Sequence, residues 1–273
     1  MSSRYKNFLM MGLVLAVAVV PTLASAGQAT GETHSWGGYH WARTINPFTL
    51  KVGDNVGTAW DSYLNTTISD WTSSTVLNLT KVTGGTTART CKATAGRVEV
   101  CNSTYGNNGW LGIAGISITG GTHITQAYVK LNDTYFNTAM YNTPAWRNLV
   151  SCQEVGHTFG LDHQDTDFNN ANLNTCMDYT NDPTSNQHPN THDYAELVTI
   201  YTHLDTTTTV GSALPKGVSP AMRNLILSNV EQWGPVVKSV KKGNALFTVH
   251  EQDFGNGNKV ITHVFWALDN AGN

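Results

Sequence analysis

The chain has 273 residues, 40% hydrophobic and only 13% charged, where an average soluble domain carries about 25% charged residues; this excludes a highly charged disordered chain. Sixteen Lys plus Arg stand against nineteen Asp plus Glu, which leaves no basic footprint for nucleic acid. The length suits one large domain, or one domain with an appendage.

At the start, Arg4 and Lys6 precede the apolar run from Phe8 to Val20, followed by Pro21 and the small-x-small triplet Ala24-Ser25-Ala26. This pattern predicts a signal peptide cleaved after Ala26. The run is shorter than the roughly 20 residues that span a bilayer, so a secreted, extracellular protein with no membrane anchor is expected. In that oxidising setting the four cysteines predict disulfides. Cys91 and Cys101 flank a stretch read as a hairpin, with Gly96 and the alternating Arg97-Val98-Glu99-Val100, and are paired on that ground. Cys152 is then left with Cys176. No Cys-x-x-Cys spacing favours a cysteine metal site.

Along the mature chain, Phe48 to Val52 alternates as an early strand. Trp60, Leu64, Ile68 and Trp71 recur at helical spacing, which predicts a helix over about 58–73. Val76 to Val82 alternates again and stops at Gly84-Gly85; 110–119 and 125–131 give further strands around Gly120-Gly121. Thr143-Pro144 reads as an N-cap with proline at the first helical position, opening a helix that runs to His157. A second late helix is expected over 192–203. Thr206 to Thr209 reads as a linker, followed by a short helix near 222–232 and an appended hairpin, 245–250 with 259–267, across Gly255-Asn256-Gly257. His250 and His263 lie on those strands and read as ordinary strand histidines.

The chemistry concentrates in Cys152-Gln153-Glu154-Val155-Gly156-His157-Thr158-Phe159-Gly160-Leu161-Asp162-His163. On a helix, positions 153 and 157 project from one face, where they can grip one ion. Glu154 sits within reach of a water on that ion, and Gly160 can take positive φ so that the chain turns His163 back to the same point.

This segment resembles the zinc signature of the metzincin metallopeptidases, His-Glu-x-x-His-x-x-Gly-x-x-His, with Gln153 in place of the first histidine. Thr175-Cys176-Met177-Asp178-Tyr179 resembles the Met-turn of that superfamily, with Met177 as its methionine. His192-Asp193-Tyr194 before Leu197 and Ile200-Tyr201 resembles the closing helix. Trp110-Leu111-Gly112-Ile113-Ala114-Gly115 resembles the edge strand along which substrates pair. The similarity covers about Gly38 to Leu204.

The resemblance implies an α+β fold: a twisted, mostly parallel sheet with an antiparallel edge strand, a zinc helix, a Met-turn and a closing helix, plus a small C-terminal β-hairpin extension. It implies 38–205 as a matrixin-like catalytic domain; from the residues themselves, 1–26 is expected as signal peptide, 27–37 as a short N-terminal segment, and 206–273 as linker and extension with a β-hairpin. It further implies a zinc metalloendopeptidase. Zinc would be held by His157, His163 and Gln153 through its amide oxygen, with Glu154 as general base and Tyr179 either hydrogen-bonding the oxyanion or packing as a plain aromatic. A polypeptide substrate would add as a strand against Trp110, Leu111, Gly112, Ile113 and Ala114.

Three readings of Gln153 stay open. Its oxygen is the third ligand; or Tyr179, His123 or His188 fills that position; or the protein is a non-catalytic, metzincin-like secreted binding protein with a degenerate site. A disulfide between Cys152 and Cys176 would tie the zinc helix to the Met-turn. No cysteine precedes Cys91, so latency through a propeptide cysteine is not expected. Calcium is not indicated, and oligomeric state is not encoded in any motif. Asn65, Asn78, Asn102 and Asn132 each open a glycosylation sequon.

Overall fold

The computed structural model describes residues 33–268 apart from 169, 224, 226, 228, 229, 243 and 244; the expected signal peptide lies outside the described residues. In chain order the elements are β1 (His40–Trp41), β2 (Phe48–Asn55), α1 (Asp61–Thr72), β3 (Leu77–Thr83), β4 (Val98–Ser103), β5 (Trp110–Thr119) and β6 (His123–Asn132). Then follow α2 (Asp133–Phe136), α3 (Pro144–His157), α4 (Thr191–Ile200), α5 (Pro220–Arg223), a 3-10 turn (Val230–Gln232), β7 (Val236–Lys242), β8 (Ala245–Asp253) and β9 (Lys259–Trp266). The fold is mixed α+β, and no described helix is long and apolar enough to cross a membrane.

Local chemistry accounts for the elements that build the site. In β2, buried Phe48, Leu50 and Val52 alternate with exposed Thr49 and Lys51, the period of a strand with one face on a core. Helix α1 buries Leu64, Thr67 and Trp71 on one stripe. The Thr143 side chain accepts from the Trp146 N–H at 3.3 Å, and Pro144 follows at the first helical position, so α3 starts where the sequence predicts. Helix α4 opens on a capping box in which Asn190 and Asp193 satisfy each other's backbone N–H groups.

One sheet runs through the molecule in the order β3-β2-β4-β6-β5-β9-β8-β7, with β1 paired to β6. The pairings β2–β3, β2–β4, β4–β6 and β1–β6 are parallel. Those of β5 with β6, β5 with β9, β7 with β8 and β8 with β9 are antiparallel. Within 38–205 the sheet is mostly parallel with β5 antiparallel, as expected; the C-terminal strands β7, β8 and β9 make the whole sheet half parallel and half antiparallel.

Three expectations are corrected. Residues 91–97 make turns, and Val98–Ser103 is a parallel strand between β2 and β6. The segment between Cys91 and Cys101 is thus no hairpin; the burial of Val98, Glu99, Val100 and Cys101 in succession is the signature of a strand covered on both faces. The two cysteines are nonetheless bridged, as are Cys152 and Cys176. The C-terminal extension is three strands, and β9 pairs with β5 from Trp110↔Trp266 to Ile118↔Lys259. Strand β5, expected at the edge, is buried along its whole length inside the sheet.

The two faces of the sheet carry two cores. Leu111, Ala114, Ile116, Ile261 and Phe265 join the main core with Trp71, Val150, Val155 and Met177 of the helical side. The alternating neighbours Trp110, Ile113, Val260 and Val264 turn to the other face, where the chain between α4 and β7 covers them with Val218, Met222, Leu227 and Trp233. The extension is thereby built into the sheet and its second face. Of the sequons, Asn132 is fully buried, its amide donating to Gly106 O, Asn108 Oδ1 and Trp110 O, so the folded chain has no room for a glycan there.

Candidate metal centre

Helix α3 ends at His157, and Thr158, Phe159 and Gly160 close it with successive N–H bonds to Val155, Gly156 and His157 carbonyls. Gly160 takes φ +94°, and a Cβ there would lie 1.9 Å from the Tyr39 carbonyl oxygen, so both its conformation and its close approach require glycine. Beyond it, Asp162 and His163 fold back beneath the helix. The N-terminal segment seals this turn: Trp36 N–H donates to Gly160 O, and Ser35 bridges to Leu161.

The structure brings His157, His163 and His263 together, with one ring nitrogen from each lying within 4.8 Å of the others. All three are buried. His157 Nδ1 faces Leu161 O at 2.8 Å, a carbonyl that can only accept; Nδ1 therefore carries the proton and Nε2 keeps its lone pair. His163 Nδ1 lies 3.4 Å from Asp162 Oδ1, whose other oxygen accepts from Lys238 Nζ of β7 at 2.8 Å. This is the kind of outer support that would fix a ligating imidazole. Burial pushes Asp162 up, but the hydrogen bonds and charges of His163 and Lys238 outweigh it and hold the carboxyl well below the carboxylate range.

Burial, with mutual repulsion of the rings, holds His157 and His263 well below the ordinary imidazole value, and burial lowers His163 too. Three neutral imidazoles facing one point are in the protonation state a divalent metal takes. The nitrogens His157 Nε2, His163 Nε2 and both of His263 are buried without a hydrogen-bond partner. Orphaned polar atoms gathered in this way call for an explanation, and the donor set fits a metal ion.

Glu154 projects toward the same point. Both its carboxylate oxygens are buried without a hydrogen-bond partner, Oε2 lies 3.7 Å from His263 Nδ1, and burial pushes its carboxyl well up. Gly112 of β5 makes the room, since a Cβ there would stand 2.8 Å from Glu154 Oε1 and 2.6 Å from Val150. Tyr179 lies flat on His163, ring centres 3.9 Å apart, and burial raises its phenol. Met177 is fully buried beneath the helix, where a Cβ at Gly156 would meet its Sδ at 2.7 Å.

Gln153 is held by its nitrogen: Nε2 donates to Cys176 O at 2.7 Å and Asp178 O at 3.3 Å. These two carbonyls fix the amide and leave Oε1 buried without a partner. The Cys152–Cys176 bridge one residue away ties the same two segments. Of the other candidates, His188 pairs with Asp70 at 2.7 Å on the surface, and His123 belongs to a different cluster.

The residues Trp110, Leu111, Gly112, Ile113 and Ala114 do not present an open edge. Strand β9 pairs there antiparallel, with His263 opposite Ala114 and Phe265 opposite Gly112. His263, read from sequence as an ordinary strand histidine, is the residue missed. Its signal was its place between Ile261 and Phe265, on the face of β9 that packs into the main core. Trp36 was missed too; its ring stands edge-on to His157 and His263 at 5.9 and 6.0 Å and covers the centre.

No protein-family model and no curated protein matches the chain.

Proposed function

We propose that the chain is a secreted zinc-dependent endopeptidase of metzincin type, closed in this conformation by its own C-terminal strand. The observation that carries this reading is the convergence of three buried, neutral imidazoles with unpartnered nitrogens beside the buried Glu154 carboxylate. His157, His163 and His263 would hold the ion, with the Gln153 oxygen as the remaining orphaned donor. A zinc ion in such a site acidifies bound water and polarises a carbonyl.

Glu154 is the proton carrier: its carboxylate takes the proton of the attacking water and delivers it to the leaving amine. Its raised affinity for a proton, caused by burial, suits a group that must hold one between these two events. Met177 and Tyr179 set the ring plane of His163 and the floor of the helix. The β5 backbone would hold an extended polypeptide by strand addition, the position that β9 now fills. A closed zinc site has four protein donors and a catalytic one keeps a position open. Hydrolysis therefore requires β9 to leave β5 and His263 to give up its place, which would leave His157, His163 and the Gln153 oxygen to hold the ion.

The second reading, a non-catalytic binding module, is favoured by the same β9 pairing and by the full burial of the centre. Hydrolysis of an unfolded protein substrate by the full chain, His263→Ala and His263→Ala/Glu154→Gln separates the two. The closed-peptidase reading expects low activity in the full chain, a gain of tenfold or more in His263→Ala, and loss in the double variant. Zinc bound with no hydrolysis in any of the three would establish the non-catalytic module.

A further inference from the structure

A second histidine cluster lies where the chain leaves α4. His40 of β1, His123 at the start of β6, and His203 and Asp205 beyond α4 meet at the β1–β6 pairing, in which His40 and His123 are register partners. Asp205 Oδ1 is 3.4 Å from His40 Nε2, 3.3 Å from His123 Nε2 and 3.7 Å from His203 Nε2. The Nε2 atoms of His40 and His203 are 3.2 Å apart. Tetrahedral zinc with bonds of about 2.0–2.1 Å places its donors roughly 3.3–3.4 Å from one another. His40, His123 and Asp205 each offer one donor within 4.8 Å of the other two, and His203 joins them through its approaches to His40 at 3.2 Å and Asp205 at 3.7 Å.

The surroundings hold two of the donors, His40 and Asp205, with a lone pair inward. His40 Nδ1 donates to Gly38 O at 2.8 Å, which leaves Nε2 as the free acceptor. Asp205 Oδ2 accepts from the Arg43 backbone N–H at 3.1 Å and from Arg43 Nη1 at 2.9 Å, leaving Oδ1 for the cluster. The buried Arg43 also donates through Nη2 to the His203 carbonyl, so one guanidinium fixes two of the four residues. The His123 and His203 side chains are 33% and 53% exposed, which gives an ion a way in from solvent. The rings stand across one another, His40 to His123 at 78° and His40 to His203 at 90°, so the nitrogens converge without stacking.

We propose that His40, His123, His203 and Asp205 form a second divalent metal site, of zinc type, separate from the buried centre. Three imidazoles and one carboxylate make a four-donor set with no position for substrate, the donor count of a structural site. Its function is to pin the end of the closing helix to β1 and β6, where the chain departs toward the extension.

The test uses the full chain, stripped of metal by a chelator and titrated with Zn²⁺ by calorimetry, with elemental analysis of the product. His203→Ala and His123→Ala remove exposed donors, and His157→Ala removes a donor of the buried centre. The expected result is two zinc equivalents for the parent chain and one for each variant. In a His157→Ala background, added Zn²⁺ raises the melting temperature, and adding His203→Ala abolishes that rise. Zinc stoichiometry and affinity unchanged in both His203→Ala and His123→Ala overturn the proposal. If the buried centre holds no zinc, the parent binds one equivalent that His157→Ala keeps and His203→Ala loses, which upholds this site and removes the other.

Discussion

The two halves of the sheet differ in how they reach the buried centre. The parallel half, β3-β2-β4-β6 with α1 and α3 on its face, leads to a helix and turn that supply Glu154, His157 and His163 within ten residues. The antiparallel half, β5-β9-β8-β7, supplies His263 from one strand and Lys238 from another. One half makes its contribution by local geometry, the other by strand register, since a one-residue slip of β9 would turn His263 to the opposite face. The centre is thus a seam: neither half alone carries three imidazoles, and its integrity measures the β5–β9 pairing.

The largest test of that seam is Trp233→Ala. Trp233 is fully buried in the second core, its Nε1 donating to Leu227 O at 2.8 Å and its ring 5.2 Å from that of His250. Removing such a side chain costs about 3–5 kcal/mol. If the halves form one cooperative unit, calorimetry gives a single transition lowered by roughly 10 °C; a separate early transition for the extension would split the seam.

On the parallel side, replacing Cys152 and Cys176 together by serine opens a bridge that spans 24 residues. The expected loss is about 2–4 kcal/mol in denaturant unfolding. Zinc affinity should fall with it, because Gln153 and His163 lose their fixed relation to the loop at Met177. A loss confined to stability, with affinity intact, would place the rigidity of the centre in the helix alone.

Between the halves lies Lys130 of β6, buried on the second face with its Nζ 5.5 and 5.6 Å from the Tyr105 and Tyr128 rings. Burial lowers its ammonium to about 8, from an ordinary 10.5. The unfolded chain therefore binds more protons between those values, and stability rises with pH across that window. Lys130→Met should stabilise the fold at pH 7 by an amount on the order of 2 kcal/mol, and the advantage should shrink as pH climbs from 8 to 10.5. Urea midpoints at pH 7 and pH 10 read the sign; an advantage independent of pH would assign it to packing.

The smallest effect belongs to Lys238→Ala. Its half-exposed pair with Asp162 contributes under about 1 kcal/mol to stability. The change should still weaken zinc binding by about tenfold, since outer partners of ligating histidines act at that scale. Unchanged affinity would show that Asp162 orients His163 without help from the extension.

The legibility of the sequence follows the same division. Thr143-Pro144, the turn at Gly160 and the alternation of Phe48 to Val52 were readable because each feature is decided within a few residues. The pairing of Cys91 with Cys101 was right although its hairpin was not, since proximity in sequence brings the two sulfurs together by more than one backbone path. β4 was misread because it is covered on both faces and its run is short. β7 carried no strand signal, and the pairing of β9 with β5 depends on contacts between residues far apart in the chain. His263 could be placed on a strand, but its partners could not be read from its neighbours.

The position of His263 also sets an order on the making of the protein. It follows His163 by about a hundred residues, so a chain emerging from the ribosome or a translocation pore presents two imidazoles long before the third. Metal captured early would meet an unfinished grip, and the last strand to arrive completes it. In the proposed metal centre, the third imidazole would thus become available only once synthesis has run through β9.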